Sequence, residues 1–168
     1  MIRSRVLPFA LVLLVAVAAC GDDDDDGTGP APADPIDALV GSYTTQSFRY
    51  TAEADPTLTV DLAGLGAGIN TMILNSDATF SGTATLEIEG EFQTLPLTGT
   101  LTGVTTSALT INFDPPASLV LPNPLPVTYT LSGTILSFTA TGVNFDFSVV
   151  GGPAGETPSI LEVVLLQN

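Results

Sequence analysis

Acidic side chains are the first candidates for chemistry in this chain. Glu87, Glu89 and Glu91 recur at every second position, and closely spaced carboxylates can act as general acid and base. In an extended strand they share a face that lies opposite the apolar positions Phe80 and Leu86. We therefore interpret them as solvated charges that deter pairing at a strand edge.

The residue types that most catalytic sites need are missing. The chain contains no His and no Lys, and its only Cys is Cys20. These absences remove Ser-His-Asp and Cys-His nucleophiles, Schiff-base chemistry and most zinc sites. We expect a protein that is not an enzyme and that needs no cofactor.

A run of aspartates supplies the one motif typical of a metal site. Residues 22–27 match the D-x-D-x-D-G start of a calcium-binding loop. The twelfth position of such a loop holds a bidentate Glu, whereas this chain has Ala33, and Pro30 and Pro32 interrupt the second half. We therefore expect no metal site and interpret the run as a solvated spacer.

The acidic run belongs to a longer segment, residues 20–34, which is rich in Asp, Gly and Pro and lacks sizeable apolar side chains. Such a segment cannot bury enough surface to offset the entropy of ordering, and its like charges extend it. We predict a disordered tether that typically spans about 20 Å and reaches at most about 49 Å.

The first 19 residues have the layout of a secretory signal peptide. Arg3 and Arg5 precede an apolar run over 6–19, which ends in small residues before Cys20. The run is shorter than the roughly 20 residues that a membrane-spanning helix needs. We therefore interpret residues 1–19 as a signal peptide rather than a transmembrane helix.

The end of this segment, Val17-Ala18-Ala19-Cys20, resembles the lipobox of bacterial lipoproteins. The resemblance implies cleavage between Ala19 and Cys20, a diacylglycerol on the Cys20 sulfur and an acyl chain on the new amino group. Stable anchoring takes two lipid signals, so three chains would hold the protein on a bilayer. The expected location is the bacterial cell envelope, with the outer membrane as the expected membrane, and the side it faces stays open.

The charge of the mature chain excludes some partners. Removing the signal peptide leaves all 18 acidic residues against one basic residue, Arg49. Nucleic-acid binding needs a basic surface, and an acidic protein is repelled by anionic head groups. We expect no nucleic-acid partner and no direct adhesion to an anionic membrane surface, while protein partners stay open.

Alternation of apolar and polar residues dominates the remaining domain, residues 35–168. From Thr79 to Glu89 every second residue is apolar or small, which is the period-2 pattern of a half-buried strand. We predict an all-β domain built as an antiparallel up-and-down barrel of about 8–10 strands, with a β-sandwich as the alternative. The same pattern recurs in four more segments: Leu109–Phe113, Val127–Leu131, Leu136–Ala140 and Val143–Val149.

A glycine-rich segment, residues 59–73, carries no nucleotide-binding fingerprint. Its glycines at 64, 66 and 68 do not fit G-x-G-x-x-G, and no βαβ unit surrounds them. We interpret the segment as a connection or bend between strands, and Asp61 within it as a cap or turn residue.

Several strand segments together resemble the lipocalin-like domains of small bacterial lipoproteins. They are "LVGSYTTQSF", "ILNSDATFSG", "VTYTLSG" and "TILSFTATG". In that family a short turn packs under the barrel and a Gly-x-Trp-like element opens the first strand, where this chain has Tyr43. The resemblance implies a lipocalin-like barrel.

Alternation places a set of aromatic and apolar residues in the barrel interior. Eight or so strands enclose just enough room for one ligand. We predict a membrane-anchored envelope lipoprotein whose barrel binds or carries a small apolar molecule. The alternative is a filled barrel that serves as a structural or protein-interaction module. The candidate interior residues are Tyr43, Phe80, Leu86, Phe113, Tyr129, Phe138, Phe145 and Phe147.

Arg49 conflicts with strict alternation in the first strand. Counting from Tyr43 would put Arg49 inside the barrel and Phe48 and Tyr50 in water. Because an unpaired buried charge is costly, we predict that a bulge shifts the register and leaves Arg49 outside among carboxylates. In the alternative, Arg49 contacts the anionic head of an amphiphilic ligand.

Overall fold

The computed structural model of the protein describes residues 34–88 and 91–168, apart from the side chain of Glu87. The predicted signal peptide, the cleavage site after Ala19, the lipidation site at Cys20 and the calcium-loop alternative lie outside the described residues. Within the described ranges, no helix is long and apolar enough to cross a membrane.

The described chain folds into antiparallel strands and short 3-10 helices, which confirms the predicted all-β class. The strands are β1 Gly41–Ala52, β2 Thr59–Asp61, β3 Gly68–Leu74, β4 Thr79–Ile88, β5 Glu91–Thr102, β6 Ala108–Phe113, β7 Leu125–Ser132, β8 Ile135–Asp146 and β9 Glu156–Gln167. The 3-10 helices are Asp37–Leu39, Leu62–Leu65, Ala117–Leu119 and Phe147–Val150.

The sheet closes on itself because the first strand pairs with the last. Neighbouring strands follow the order β1-β3-β4-β5-β6-β7-β8-β9, and Tyr43 to Ala52 of β1 lie opposite Gln167 to Ser159 of β9. Eight strands therefore form an up-and-down barrel, which confirms the predicted barrel and excludes the sandwich. β2 is an extra strand that pairs with three residues of β1.

The polar residues of the alternating strands cover the outside of the barrel. In β4, Phe80, Ala84 and Leu86 are buried, while the threonines between them point outward. The hydroxyls of Thr85 and Thr94 lie 2.9 Å apart across β4 and β5. Such cross-strand threonine pairs stabilise a sheet face that meets water, so the Thr-rich composition follows from the closed barrel.

Residues 34–40 close the end of the barrel at which β1 begins, here called the near end. Ile36, Leu39 and Tyr43 are buried there, and the Tyr43 hydroxyl donates a 2.7 Å hydrogen bond to the carbonyl of Leu39. This hydrogen bond ties the first strand to the turn beneath the barrel. The opposite end, here called the far end, carries the loops 53–67, 114–124 and 147–155.

The predicted bulge in β1 is confirmed. The register of β1 against β9 shifts between Thr45 and Ser47, so Gln46 is the extra residue. As a result Tyr43, Phe48 and Tyr50 are all buried, and Arg49 lies on the outer face.

Two local expectations from the alternation are wrong. The pattern extends a strand through Val149, but β8 ends at Asp146, whose carboxylate accepts a 2.9 Å hydrogen bond from the Ser148 N–H and starts a 3-10 helix. Glu91 was expected to share a strand face with its acidic neighbours, yet it opens β5 and lies opposite Ile88. In both cases the strand ends before its alternating pattern does.

Candidate functional site

A cavity of about 60 Å³ lies inside the barrel. Every one of the eight barrel strands contributes to its wall, and all 19 lining residues carry apolar side chains. Leu121 and Pro122, from the loop between β6 and β7, are the only lining residues outside the strands. The cavity is therefore a dry apolar space with one wall segment that belongs to a loop.

The sequence-predicted interior residues divide between the cavity and its two ends. Phe80, Leu86, Phe113 and Phe138 line the cavity. The other four, Tyr43, Tyr129, Phe145 and Phe147, are buried or half-buried without lining it.

A tyrosine on β7 adds to the closure of the near end. The Tyr129 hydroxyl donates a 2.5 Å hydrogen bond to the carbonyl of Thr105, in the loop between β5 and β6. The Tyr129 ring also meets that of Phe138 edge-on, with centroids 6.5 Å apart. Because Phe138 lines the cavity, this contact links the wall to the near-end closure.

An aromatic cluster lies toward the far end. Tyr50 stacks on Phe145 with ring centroids 4.2 Å apart, and it meets Phe48 edge-on at 5.7 Å. Phe145 in turn meets Phe147 edge-on at 5.0 Å. Burial raises the pKa of Tyr50 to about 12, so its phenol is neutral at physiological pH and brings no charge into the interior.

Asp61 positions Phe48 in the cavity wall. β1 and β3 pair over only Gly41–Tyr43, so the backbone of β1 beyond the bulge lacks partners from β3. The Asp61 carboxylate takes that place, accepting hydrogen bonds from the Phe48 N–H at 3.0 Å and the Ser47 hydroxyl at 2.7 Å. It also accepts from the Ala63 N–H at 3.0 Å and caps the 3-10 helix that follows, which confirms its interpretation as a cap.

The environment of Asp61 favours its ionised form. Partial burial raises the pKa of Asp61, but the hydrogen bonds from Phe48, Ser47 and Ala63 and the charge of Arg49 outweigh that effect. The pKa therefore lies below its ordinary value. The carboxylate stays charged at physiological pH, which strengthens the hydrogen bonds that it accepts.

Arg49 contributes to the outer wall rather than to the cavity. Its guanidinium lies 3.8 Å from the carboxylate of Glu162, its cross-strand partner on β9, and both side chains are nearly half exposed, at 46% and 47%. The bulge puts Phe48 and Tyr50 inside and sends the intervening Arg49 outward. Arg49 is consequently absent from the cavity lining, and the ligand contact considered for it has no geometric support.

The sequence could indicate most of the strand residues of the wall but not its loop segment. Phe48 can be assigned to the wall once the bulge in β1 is predicted, because keeping Arg49 out of the interior requires that shift in register. Leu121 and Pro122 follow no period, so no pattern points to them.

In the described part of the chain no group of three or more His, Cys, Asp or Glu residues is arranged to hold a metal.

No protein-family model matches the chain, and no curated protein shows significant similarity to it. The barrel and its cavity are therefore the features that indicate a function.

Proposed function

We propose that this protein is a lipid-anchored envelope protein whose barrel takes up a small apolar molecule or the end of an apolar chain. The observation that carries the proposal is the cavity lined by apolar side chains from all eight barrel strands. Water is poorly held in such a space because it finds no hydrogen-bond partners. An apolar group that enters gains dispersion contacts at little desolvation cost.

The cavity volume limits the ligand. Its 60 Å³ is less than half of the roughly 150 Å³ known to accept benzene and far below the roughly 300–1,000 Å³ of typical ligand pockets. A very small molecule or the tip of a chain fits the barrel as it stands. A larger ligand requires Leu121 and Pro122 to move, because a loop yields more easily than a closed sheet.

The same small volume favours the second candidate, a filled barrel without a small-molecule ligand. In that case the residual space is an ordinary packing defect, and the protein acts through its surface as a structural or interaction module. The two candidates differ in one measurable property, which is saturable binding of an apolar probe inside the barrel.

The test uses xenon and hexane as probes, followed by chemical shifts in two-dimensional NMR spectra. We expect saturable shifts at Phe80 and Phe138 in the wild-type protein. Ala140→Leu, which adds volume to the lining, should abolish them, and Leu125→Ala, which enlarges the cavity, should strengthen hexane binding. Absence of saturable shifts in both the wild type and Leu125→Ala would replace the carrier proposal with the filled-barrel module.

Membrane anchoring is a separate part of the proposal and is supported by the lipobox resemblance ending in Cys20. When the full chain is expressed in a bacterium, the wild type should partition into detergent, because three acyl chains hold it on a bilayer. Cys20→Ser should stay unprocessed or appear in the aqueous phase. Unchanged processing and partitioning of Cys20→Ser would refute the anchor without affecting the cavity experiment.

A further inference from the structure

The barrel wall has a seam at which β1 and β3 separate. The two strands pair only over Gly41–Tyr43 of β1, and each then carries a bulge, at Gln46 in β1 and at Asn70 in β3. A bulge bends its strand and disrupts the ladder of hydrogen bonds. Farther along, β1 pairs with β2 over Arg49–Thr51 instead. The backbone ladder between β1 and β3 is therefore missing along most of the seam.

A side chain holds the seam where the ladder ends. The Ile69 N–H donates a 2.6 Å hydrogen bond to the Thr45 hydroxyl. Gly68 permits this close approach, because a Cβ at that position would lie 2.9 Å from the Thr45 side chain. At this point the wall is thus made by side-chain contacts rather than by paired backbone.

A cleft of about 230 Å³ lies at the seam and is open to solvent. Its volume approaches the roughly 300 Å³ at which ligand pockets begin. We call this space the seam cleft, and it is lined by Thr44, Thr45, Ala63 and residues 66–70.

Ile69 separates the seam cleft from the cavity inside the barrel. It belongs to the lining of both spaces, and Phe48 and Met72, from the two strands that flank the seam, also line the cavity. The wall between the two spaces is therefore one half-buried side chain thick at Ile69. Side chains change rotamer within nanoseconds where they are accessible, whereas parting two paired strands breaks several hydrogen bonds. Reorientation of Ile69 is thus the easiest passage from the seam cleft into the cavity.

The chemistry of the seam cleft differs from that of the cavity. Thr44, Thr45 and Asn70 bring hydroxyl and amide groups, which both donate and accept hydrogen bonds. None of the described residues that line the seam cleft is charged. A carboxylate borders it, since Asp61 accepts a hydrogen bond from the Ala63 N–H. This charge repels an anionic group, whereas a neutral hydroxyl-bearing group matches the lining.

Asp61 does not provide a site for a cationic group either. Its carboxylate already accepts three hydrogen bonds, from the Ser47 hydroxyl and from the Phe48 and Ala63 amides. A cationic group in the seam cleft would therefore lose water without gaining a free acceptor of full charge.

We propose that the seam cleft and the cavity together bind a single-chain amphiphile with a neutral, hydroxyl-bearing head, such as a monoacylglycerol. The head hydrogen-bonds to Thr44, Thr45 and Asn70, the chain passes Ile69, and its tip fills the cavity. The proposal rests on the proposed uptake of an apolar chain end and adds to it the route and the head group. It also lets a cavity of 60 Å³ serve a ligand that is much larger than itself.

The test uses the mature chain, residues 20–168, with Cys20→Ser, so that no acyl chain of the protein itself competes. The probe is glycerol monodecanoate below its critical micelle concentration, compared with decanoate, decyltrimethylammonium and hexane. We expect glycerol monodecanoate to give saturable NMR shifts at Asn70 in the seam cleft and at Phe80 and Phe138 in the cavity wall. Its glycerol protons should show nuclear Overhauser contacts to Asn70 and its terminal methyl group to Phe138.

The comparison ligands separate the head from the tail. Decanoate and decyltrimethylammonium carry the same chain and should bind about tenfold more weakly, because a charged head loses hydration without a charged partner. Hexane has no head and should shift only the cavity wall.

Variants then locate the head-group site. Thr44→Val with Asn70→Leu removes hydrogen-bonding side chains from the seam cleft and should weaken glycerol monodecanoate about tenfold without affecting hexane. The matched pair Thr130→Val with Asn144→Leu makes the same changes at exposed positions of β7 and β8 and should leave both ligands unchanged. Ala63→Leu fills the seam cleft and should exclude glycerol monodecanoate while sparing hexane. Thermal midpoints establish that each variant is folded.

The outcomes distinguish this proposal from the one that it extends. Hexane binding in the cavity without binding of glycerol monodecanoate would overturn the amphiphile site and leave the cavity function intact. Absence of binding by both would overturn the two proposals together. Equal binding of decanoate or decyltrimethylammonium would refute the neutral head. Equal losses in the matched pair, or Overhauser contacts from the chain to Leu121 but none to Ile69, would refute the seam as the route.

Discussion

Removing the Asp61 carboxylate should loosen the barrel where β1 and β3 separate. Asp61→Ala deletes the cap of a 3-10 helix, which costs about 1 kcal/mol, and leaves the Phe48 amide without its acceptor, which costs about 1–3 kcal/mol when a donor is fully buried. The site is only partly buried, so water recovers some of that loss. We expect a total destabilisation of about 2 kcal/mol, or roughly 5–10 °C in thermal midpoint.

Urea denaturation followed by tyrosine fluorescence measures the loss, with Asp146→Ala as the matched control. Asp146 caps the equivalent helix through Ser148 and also accepts a 3.2 Å hydrogen bond from the Gly155 N–H. Both of these hydrogen bonds are exposed, whereas those of Asp61 are partly buried, so removing Asp146 should cost less. Asp61→Asn keeps an acceptor for the two amides and should fall between the wild type and Asp61→Ala. If Asp61→Ala costs no more than Asp146→Ala, the hydrogen bond to Phe48 contributes nothing and the argument fails.

The destabilisation should also depend on pH in a known direction. The pKa of Asp61 is lowered in the folded protein, so its contribution is fully present above the ordinary carboxyl pKa of about 3.9 and is lost as pH falls through the lower folded value. The gap between wild type and Asp61→Asn should therefore stay constant from about pH 8 to about pH 5 and narrow below about pH 4. A gap that widens in acid would contradict this assignment.

Two more substitutions test the barrel wall. Gly99→Ala should cost about 3 kcal/mol or more, because a Cβ there would lie 2.0 Å from the Asn112 carbonyl oxygen. The control is Gly64→Ala, whose added Cβ meets no atom within 4 Å and whose φ lies outside the left-handed region. Equal losses in the two thermal midpoints would refute the predicted clash. Arg49→Gln should change the free energy of unfolding in urea by about 0–1 kcal/mol, since its pairing with Glu162 is half exposed; a much larger loss would mean that Arg49 has a structural role beyond this pair.

The candidate site was only partly predictable, for identifiable reasons. Phe80, Leu86, Phe113 and Phe138 were recognisable because a strand residue's face is determined by local period. The volume of the cavity could not be predicted. It is the small difference between the volume that the barrel encloses and the volume filled by side chains, and the 19 lining residues come from distant parts of the chain. Local pattern identifies what points inward, but only packing decides how much space is left.

The sequence by itself determined the strand-forming segments and the faces of most strands, and it favoured an outward position for Arg49. These properties follow from a period of two and from the cost of burying a lone charge, which act on neighbouring residues. The tertiary structure alone decided that β9 returns to β1, that Asp61 occupies the opening between β1 and β3, and that the interior retains a small apolar cavity. Each of these depends on contacts between residues far apart in the chain, which no local pattern can specify.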